Sequence, residues 1–190
     1  MRVSREKAAE NRRRVVRTAG RLFREKGYDG IGVADLMKAA GLTHGGFYGH
    51  FGSKEDLAAE AVSEDLKASA ERWRKRMAER PDAPLAAVVE RYLSDEHRDD
   101  ASLGCPVAAL ACDTSRRSQA VRDAFGAGAE GLIEVLASVM PESTPQARRQ
   151  SAMVAFSAMV GALMLSRAVG DRELSDEILQ AARAAFARNG

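Results

Sequence analysis

Proline is scarce in this 190-residue chain, with five in all, aromatic residues make up 5%, and there are two cysteines. Few prolines, few aromatic and β-branched residues, and abundant Ala, Arg, Glu and Leu argue against a sheet and for an all-α protein. Two cysteines exclude a disulfide framework, and with three histidines they show no zinc spacing such as C-x-x-C. No Ser-His-Asp arrangement, paired carboxylates or ligand cluster stands out, so no catalytic residue, metal or cofactor is assigned. The opening M-R-V-S-R-E-K-A-A-E-N-R-R-R has no apolar stretch behind its charges, which argues against a secretory signal and for a cytoplasmic protein. The longest apolar run, Ala152 to Leu165, is broken by Ser157 and closed by Ser166 and Arg167. It is too short for a comfortable membrane span and reads as a helix buried on most sides, so no membrane partner is expected.

Net charge is +2, but it is unevenly placed. Residues 1–55 hold 12 Lys and Arg against 6 Asp and Glu, whereas residues 56–190 hold 17 against 21. A basic end points to a polyanion there, or to a solvated arginine-rich helix face.

Helical periodicity organises the chain. Val15, Val16, Ala19, Leu22 and Phe23 mark a first helix from Ser4 to about Lys26, stopped by Gly27. After the turn Y-D-G-I-G, Val33, Leu36, Met37 and Ala40 mark a short second helix ended by Gly41. Thr43 N-caps a third, in which Phe47 and Phe51 share a face at i and i+4. Ser53 caps a fourth, long helix, with Glu55 and Asp56 in its first turn, running to about Glu79 before Pro81 and Pro84. Further helices are expected near Leu85 to His97, Pro106 to Ser115, Gln119 to Val139, Pro145 to Val169 and Arg172 to Arg188.

The stretch G-L-T-H-G-G-F-Y-G-H-F, 41–51, is the most informative. On an α-helical wheel Phe47, Tyr48 and Phe51 gather on one side, and Gly45, Gly46, Gly49 and His50 lie opposite, leaving that face nearly bare. Interior glycines cost about 0.5–1 kcal/mol each relative to alanine, so the aromatic face must support the helix. A phosphate loop lacks its strand and its motif. A metal site is disfavoured because His44 and His50 are six apart and diverge on a helix. Two short helices joined by a tight turn, with the second able to approach a duplex and a basic helix beside them, fit a helix-turn-helix.

Residues from about Asn11 to Leu57, above all L-F-R-E-K-G-Y-D-G, D-L-M-K-A-A-G-L, T-H-G-G-F-Y-G-H-F and S-K-E-D-L, resemble the DNA-binding domain of tetracycline-repressor-type (TetR) regulators. The resemblance implies an all-α homodimer. It would have a three-helix DNA-binding head at 1–55, joined by the long helix to an effector-binding and dimerisation domain at 56–190. Carried over by position, it places Thr43, His44, Gly45 and Gly46 at bases or backbone in the major groove, and Tyr48, His50 and Lys54 at phosphates. Arg14 is the arginine of the first helix assigned to DNA. Gly32 stands where the family often has a capping Ser or Thr, and Gly49 where a larger side chain is common. With Thr43 and His44 as the main side-chain readers, specificity is expected to lean on backbone approach, DNA shape and an arm carrying Arg2 and Arg5.

The second informative stretch is L-G-C-P-V-A-A-L-A-C-D-T-S, 103–115. Pro106 suits the first helical turn and puts Cys105 at the N-cap, where the helix dipole favours a thiolate. Cys112 lies two turns on, about 10.5 Å away by helical rise, which excludes a disulfide within the intact helix. The Gly-Cys pair also resembles a branch of the family in which some members sense electrophiles or oxidants through that cysteine. The opposing reading makes Cys105 and Cys112 small packing residues. Phe156, Met159, Val160 and Leu163, with Ile178, Ala182 and Phe186 of the last helix, suit a four-helix dimer interface, or packing within one chain.

Two function classes follow. One is a homodimeric transcriptional regulator on a palindromic double-stranded operator, released by a small molecule of unknown identity or by modification of Cys105. The other is a helical thiol enzyme, such as a peroxide or electrophile scavenger, for which His97 is the nearest candidate base. The resemblance implies that an effector moves the long helix and changes the spacing of two recognition helices.

Overall fold

The computed structural model describes residues 5–188, all-α among those residues. The order is α1 (Arg5–Lys26), α2 (Val33–Ala39), a 3-10 helix (His44–Gly49), α3 (Lys54–Glu79), α4 (Pro84–Tyr92) and α5 (Asp95–Asp99). A second 3-10 turn (Ala101–Leu103), α6 (Pro106–Thr114), α7 (Gln119–Ala137), α8 (Pro145–Ala168) and α9 (Arg172–Arg188) complete it. Arg2 lies outside the described residues, and Arg5 is the first residue of α1.

Local chemistry sets most boundaries. Val15, Val16, Ala19, Leu22 and Phe23 are buried on one stripe of α1. Gly27 ends that helix at φ 74°, in the left-handed region, with the Asp113 carboxylate 2.8 Å from where a Cβ would stand. Two constraints therefore exclude a side chain there. The Ser53 hydroxyl accepts the Asp56 N–H at 3.0 Å and starts α3, which spans about 39 Å at 1.5 Å per residue.

The segment expected to form one helix from Leu85 to His97 is broken after Tyr92. Ser94 accepts the N–H of His97 at 3.2 Å and so caps a new helix. The carbonyl of Tyr92, which a continuous helix would have satisfied, faces the His97 imidazole at 2.6 Å instead. A side-chain cap thus competed successfully with the backbone ladder.

The third helix differs in kind from the α-helix expected. His44–Gly49 is a 3-10 turn, with the His50 N–H on the Phe47 carbonyl at 2.9 Å. Three glycines in six residues remove the propensity that would favour α geometry, and the 3-10 turn closes its bonds over three residues instead of four. Thr43 occupies the capping position without a side-chain cap bond.

Two cores share α3. Ala61 belongs to a cluster built from α1, α2, Phe47 and Phe51, and Val62 belongs to a second built from α4, α7, α8 and Leu179 of α9. The first core also contains Leu110 of α6 and Val121 of α7, so the head is packed on the larger domain. In the second core Trp73 meets Phe156 at 5.6 Å and Tyr92 at 5.8 Å, both edge to face.

Helix α8 is long and apolar enough to cross a membrane by composition, yet one of its sides is core. Ala155, Phe156, Met159 and Leu163 are buried inside the chain, and Val160, Ala182 and Phe186 pack half-buried against that core. Phe156, Met159 and Leu163 therefore cannot serve the dimer interface expected of them. The open side of α8 carries Val154 and Leu165, 71% and 58% exposed, at i and i+11, with Ala158 and Gly161 between them.

Candidate nucleic-acid interface and helical-domain cavity

The tip of the head is built from its aromatic support outward. Phe47 and Phe51 are buried with ring centroids 5.5 Å apart, and Phe47 meets the edge of Tyr48 at 5.2 Å. Tyr48 stands 68% exposed, with the His44 ring 6.3 Å away. Thr43, His44, Gly45, Tyr48 and Gly49 are open to solvent, and a Cβ at Gly45 or Gly49 would meet nothing within 4 Å. Gly46 is partly covered by Met37 and Thr43. The 3-10 turn thus presents backbone and three exposed side chains, Thr43, His44 and Tyr48.

His50 is half-buried, and its carbonyl accepts from Arg12, whose guanidinium also pairs with Glu60 and lies 4.3 Å over the Phe51 ring. Arg12 therefore braces the tip from α1 to α3 and is not a free cation. Arg14 is half-buried, donates to Asn11 at 3.1 Å and keeps its Nε buried without a partner. Lys54, first in α3, has no carboxylate within ion-pair distance among the described residues.

The head is fastened to the larger domain by polar contacts around α6. The Tyr28 hydroxyl lies 3.3 Å from that of Thr114. Arg117 pairs with Asp29 and, at 3.6 Å, with Glu55. Arg24 donates to the Ser102 carbonyl at 2.6 and 2.8 Å and pairs with Asp65, and burial lowers its pKa to about 10.

The segment that follows Ser102, Leu103 to Cys105, lines a cavity of about 320 Å³, near the lower end of small-molecule sites. Helix α3 contributes Arg72, Trp73 and Arg76, α4 contributes Arg91 and Tyr92, and Cys105 helps to close it. Gly104 has no room for a side chain, since a Cβ would meet His97 Nε2 at 2.8 Å.

Cys105 is the N-cap of α6, as its spacing from Pro106 predicts, but the thiolate expectation fails. The thiol is buried, and that burial raises its pKa despite the Tyr92 hydroxyl and the Val107 and Ala108 N–H groups nearby. A helix terminus contributes about 0.3–2 kcal/mol to an anion, less than the cost of taking a thiolate out of water. Cys112 is exposed, which overturns the packing role given to it.

His97 offers the thiol no base. Its Nε2 accepts the Cys105 backbone N–H at 2.9 Å, which leaves Nδ1 to donate to the Tyr92 carbonyl at 2.6 Å. Burial first, and then the charge of Arg167, lowers its pKa to about 4. His97 is therefore not the free acid–base partner that thiol catalysis at Cys105 would require.

Sequence reading missed the bracing role of Arg12, and missed Arg24 and the cavity arginines. Arg72 and Arg76 at i and i+4 around the chain's one tryptophan were the available signal.

Residues 15–61 match the family model for bacterial regulatory proteins of the tetR family, and residues 81–184 match that of the LmrA/YxaF-like transcriptional regulator C-terminal domain. The chain belongs to the TetR family. This regulator is similar to the HTH-type transcriptional regulator LmrA of Bacillus subtilis, with 30% identity over 83% of this chain and 86% of that protein. It is also similar to the HTH-type transcriptional repressor NemR of Escherichia coli K12, with 23% identity over 69% and 67%. Among solved structures, reduced E. coli NemR matches with a TM-score of 0.78 and 23% identity over 95% of this chain and 97% of that one. A TetR-family regulator from Cytophaga hutchinsonii matches at 0.79 with 20% identity, covering 100% and 98%. These two structures establish the shared fold.

Two outcomes follow from the buried His97–Cys105 unit. Because the folded pKa of His97 lies below its ordinary 6.5, the unfolded chain binds the proton first. The stability contributed by neutral His97 is therefore full above pH 6.5 and is lost as pH falls towards 4, about 2 kcal/mol by pH 5. Urea unfolding across this range should show that loss, and His97→Gln should flatten it. Iodoacetamide should label Cys112 rapidly and Cys105 no faster than the protein opens, so Cys112→Ser should abolish the fast phase followed by mass spectrometry.

Proposed function

We propose that this TetR-family regulator is a cytoplasmic homodimeric repressor that binds a palindromic operator and leaves it when a small molecule occupies the cavity beside Cys105. The observation that carries the reading is the placement of α6. Its N-cap, Cys105, walls the cavity, while Leu110 and Thr114 further along it pack against the head. A ligand that displaces the 103–105 segment would act on α6 and on the Ser102 carbonyl held by Arg24. A nine-residue helix about 13 Å long is too short to absorb such a shift by bending. In a two-fold dimer, movement of the heads takes the two tips out of register with successive major grooves. Occupancy of the cavity is favoured over modification of Cys105, because the thiol is buried and held protonated.

At the DNA, Thr43, His44, Gly45 and Gly46 face the groove, and Tyr48, His50 and Lys54 serve the phosphates, with Arg14 as a further phosphate contact. The bare 3-10 turn supports indirect readout, since it brings few donors and acceptors to base edges. In selection of bound DNA from a random pool, Lys54→Ala should weaken all sites alike and His44→Ala should keep the sequence preference. Loss of preference in His44→Ala would refute shape readout.

The second copy would seat on the open side of α8, with Val154, Ala158, Gly161 and Leu165 at helical spacing, and on the half-buried Ile178 of α9. A Cβ at Gly161 meets nothing within 4 Å in the protomer. Gly161→Arg should thus fold normally by circular dichroism yet sediment as a monomer and lose operator binding at least tenfold.

A further inference from the structure

We propose that the cavity between α3, α4 and α6 is a site for a small organic carboxylate with a flat apolar body. This rests on the reading of that cavity as the effector site.

Charge selects the ligand class. Arg72, Arg76 and Arg91 line the cavity, and no carboxylate does. Among the described residues Arg72 and Arg76 have no carboxylate within ion-pair distance, and Arg72 is held by the Ser69 hydroxyl alone at 2.8 Å. Arg91 is kept in place by Ser94 at 2.7 Å and Glu96 at 3.3 Å, so its guanidinium is already oriented. Arg72 is exposed as a residue, but its guanidinium loses water where it packs at the cavity, which lowers its pKa; the Cys105 side opposes that and the charge of Arg76 adds a smaller lowering. Like charges at i and i+4 on one helix repel, and an anion between them removes that repulsion. Cationic ligands are excluded on the same ground. His97, with both nitrogens engaged, adds neither charge nor a free acceptor.

The apolar side selects the body. The edges of Trp73 and Tyr92, with Val88 and Leu103, form a wall that an inorganic anion would leave unfilled. Tyr92 supplies a second, independent observation. Its hydroxyl is buried against the Cys105 thiol and has no oxygen or nitrogen partner among the described residues, so a ligand oxygen in the cavity would be a stronger acceptor than the sulfur. A volume of about 320 Å³ fits a single substituted ring.

Trp73 is the sole tryptophan, so its fluorescence reads the site without DNA. The probes are 3-phenylpropionate, its neutral amide 3-phenylpropanamide, and inorganic phosphate, each titrated into the full-length protein. The acid should bind at least tenfold tighter than either the amide or phosphate, and its affinity should fall as salt rises. Arg76→Gln and Arg72→Gln should each weaken the acid tenfold or more and leave the amide unchanged, and Tyr92→Phe should weaken the acid severalfold. Circular dichroism melts of each variant separate loss of the site from loss of the fold. Equal binding of acid and amide, phosphate binding as tight as the acid, or no acid binding at 10 mM overturns the proposal. Acid binding through Arg76 with no change in operator affinity supports the site and defeats its role as effector site. Operator release by a neutral compound that is indifferent to Arg76→Gln keeps the regulator and overturns the carboxylate.

Discussion

Beyond the shared helix α3, what joins the head to the larger domain is centred on the seat of α6 against α1. Leu110 is buried in the head's core, the Asp113 carboxylate occupies the space left by Gly27, and the hydroxyls of Thr114 and Tyr28 face one another. Without that seat the head would hang on α3 alone, and a long helix by itself transmits bending poorly. With it, head and larger domain share apolar packing on two helices, and the polar contacts of Arg24 and Arg117 lie at its margins. Packed cores respond to displacement as units, which makes such a seat suited to having two discrete arrangements.

The tip of the head shows how a protein manages a poor helix. Its glycines surrender local stability, and the deficit is met from outside the element. Phe47 and Phe51 fill the space behind it, and Arg12 ties the last carbonyl of the turn to Glu60 on α3. The tip is therefore held by its neighbours more than by its own backbone, and its shape depends on α1 being in register with α3.

Much of this was legible in the sequence. Ser53 before Lys54 marked the start of α3 because a cap has a local chemical signature, and Val15, Ala19 and Leu22 marked the inner stripe of α1 because burial repeats with the helical period. The family resemblance rested on such local patterns and was legible for the same reason. What could not be read depended mostly on distant partners. The burial of Cys105 needed Tyr92 from another helix, whereas the break at Ser94 is local but set a side-chain cap and the His97 imidazole against the backbone ladder, a competition that periodicity does not rank. Likewise, α8 is apolar on two sides, so periodicity could not say which side faces the chain's own core; Phe156 and Val154 look alike until α6, α7 and α9 are in place.

The crowding at Gly104 bears on how this protein can change over generations. One wall of the cavity is bare main chain pressed against the His97 ring and close to Arg167, so no substitution there can reshape it without unseating the segment that leads to α6. The opposite wall is made of long side chains on α3 and α4, any of which a point mutation can shorten without moving the backbone. If the cavity holds the proposed effector, its chemistry and its mechanics fall on different residues, and descendants of this chain can acquire new selectivity while keeping the same α6 segment.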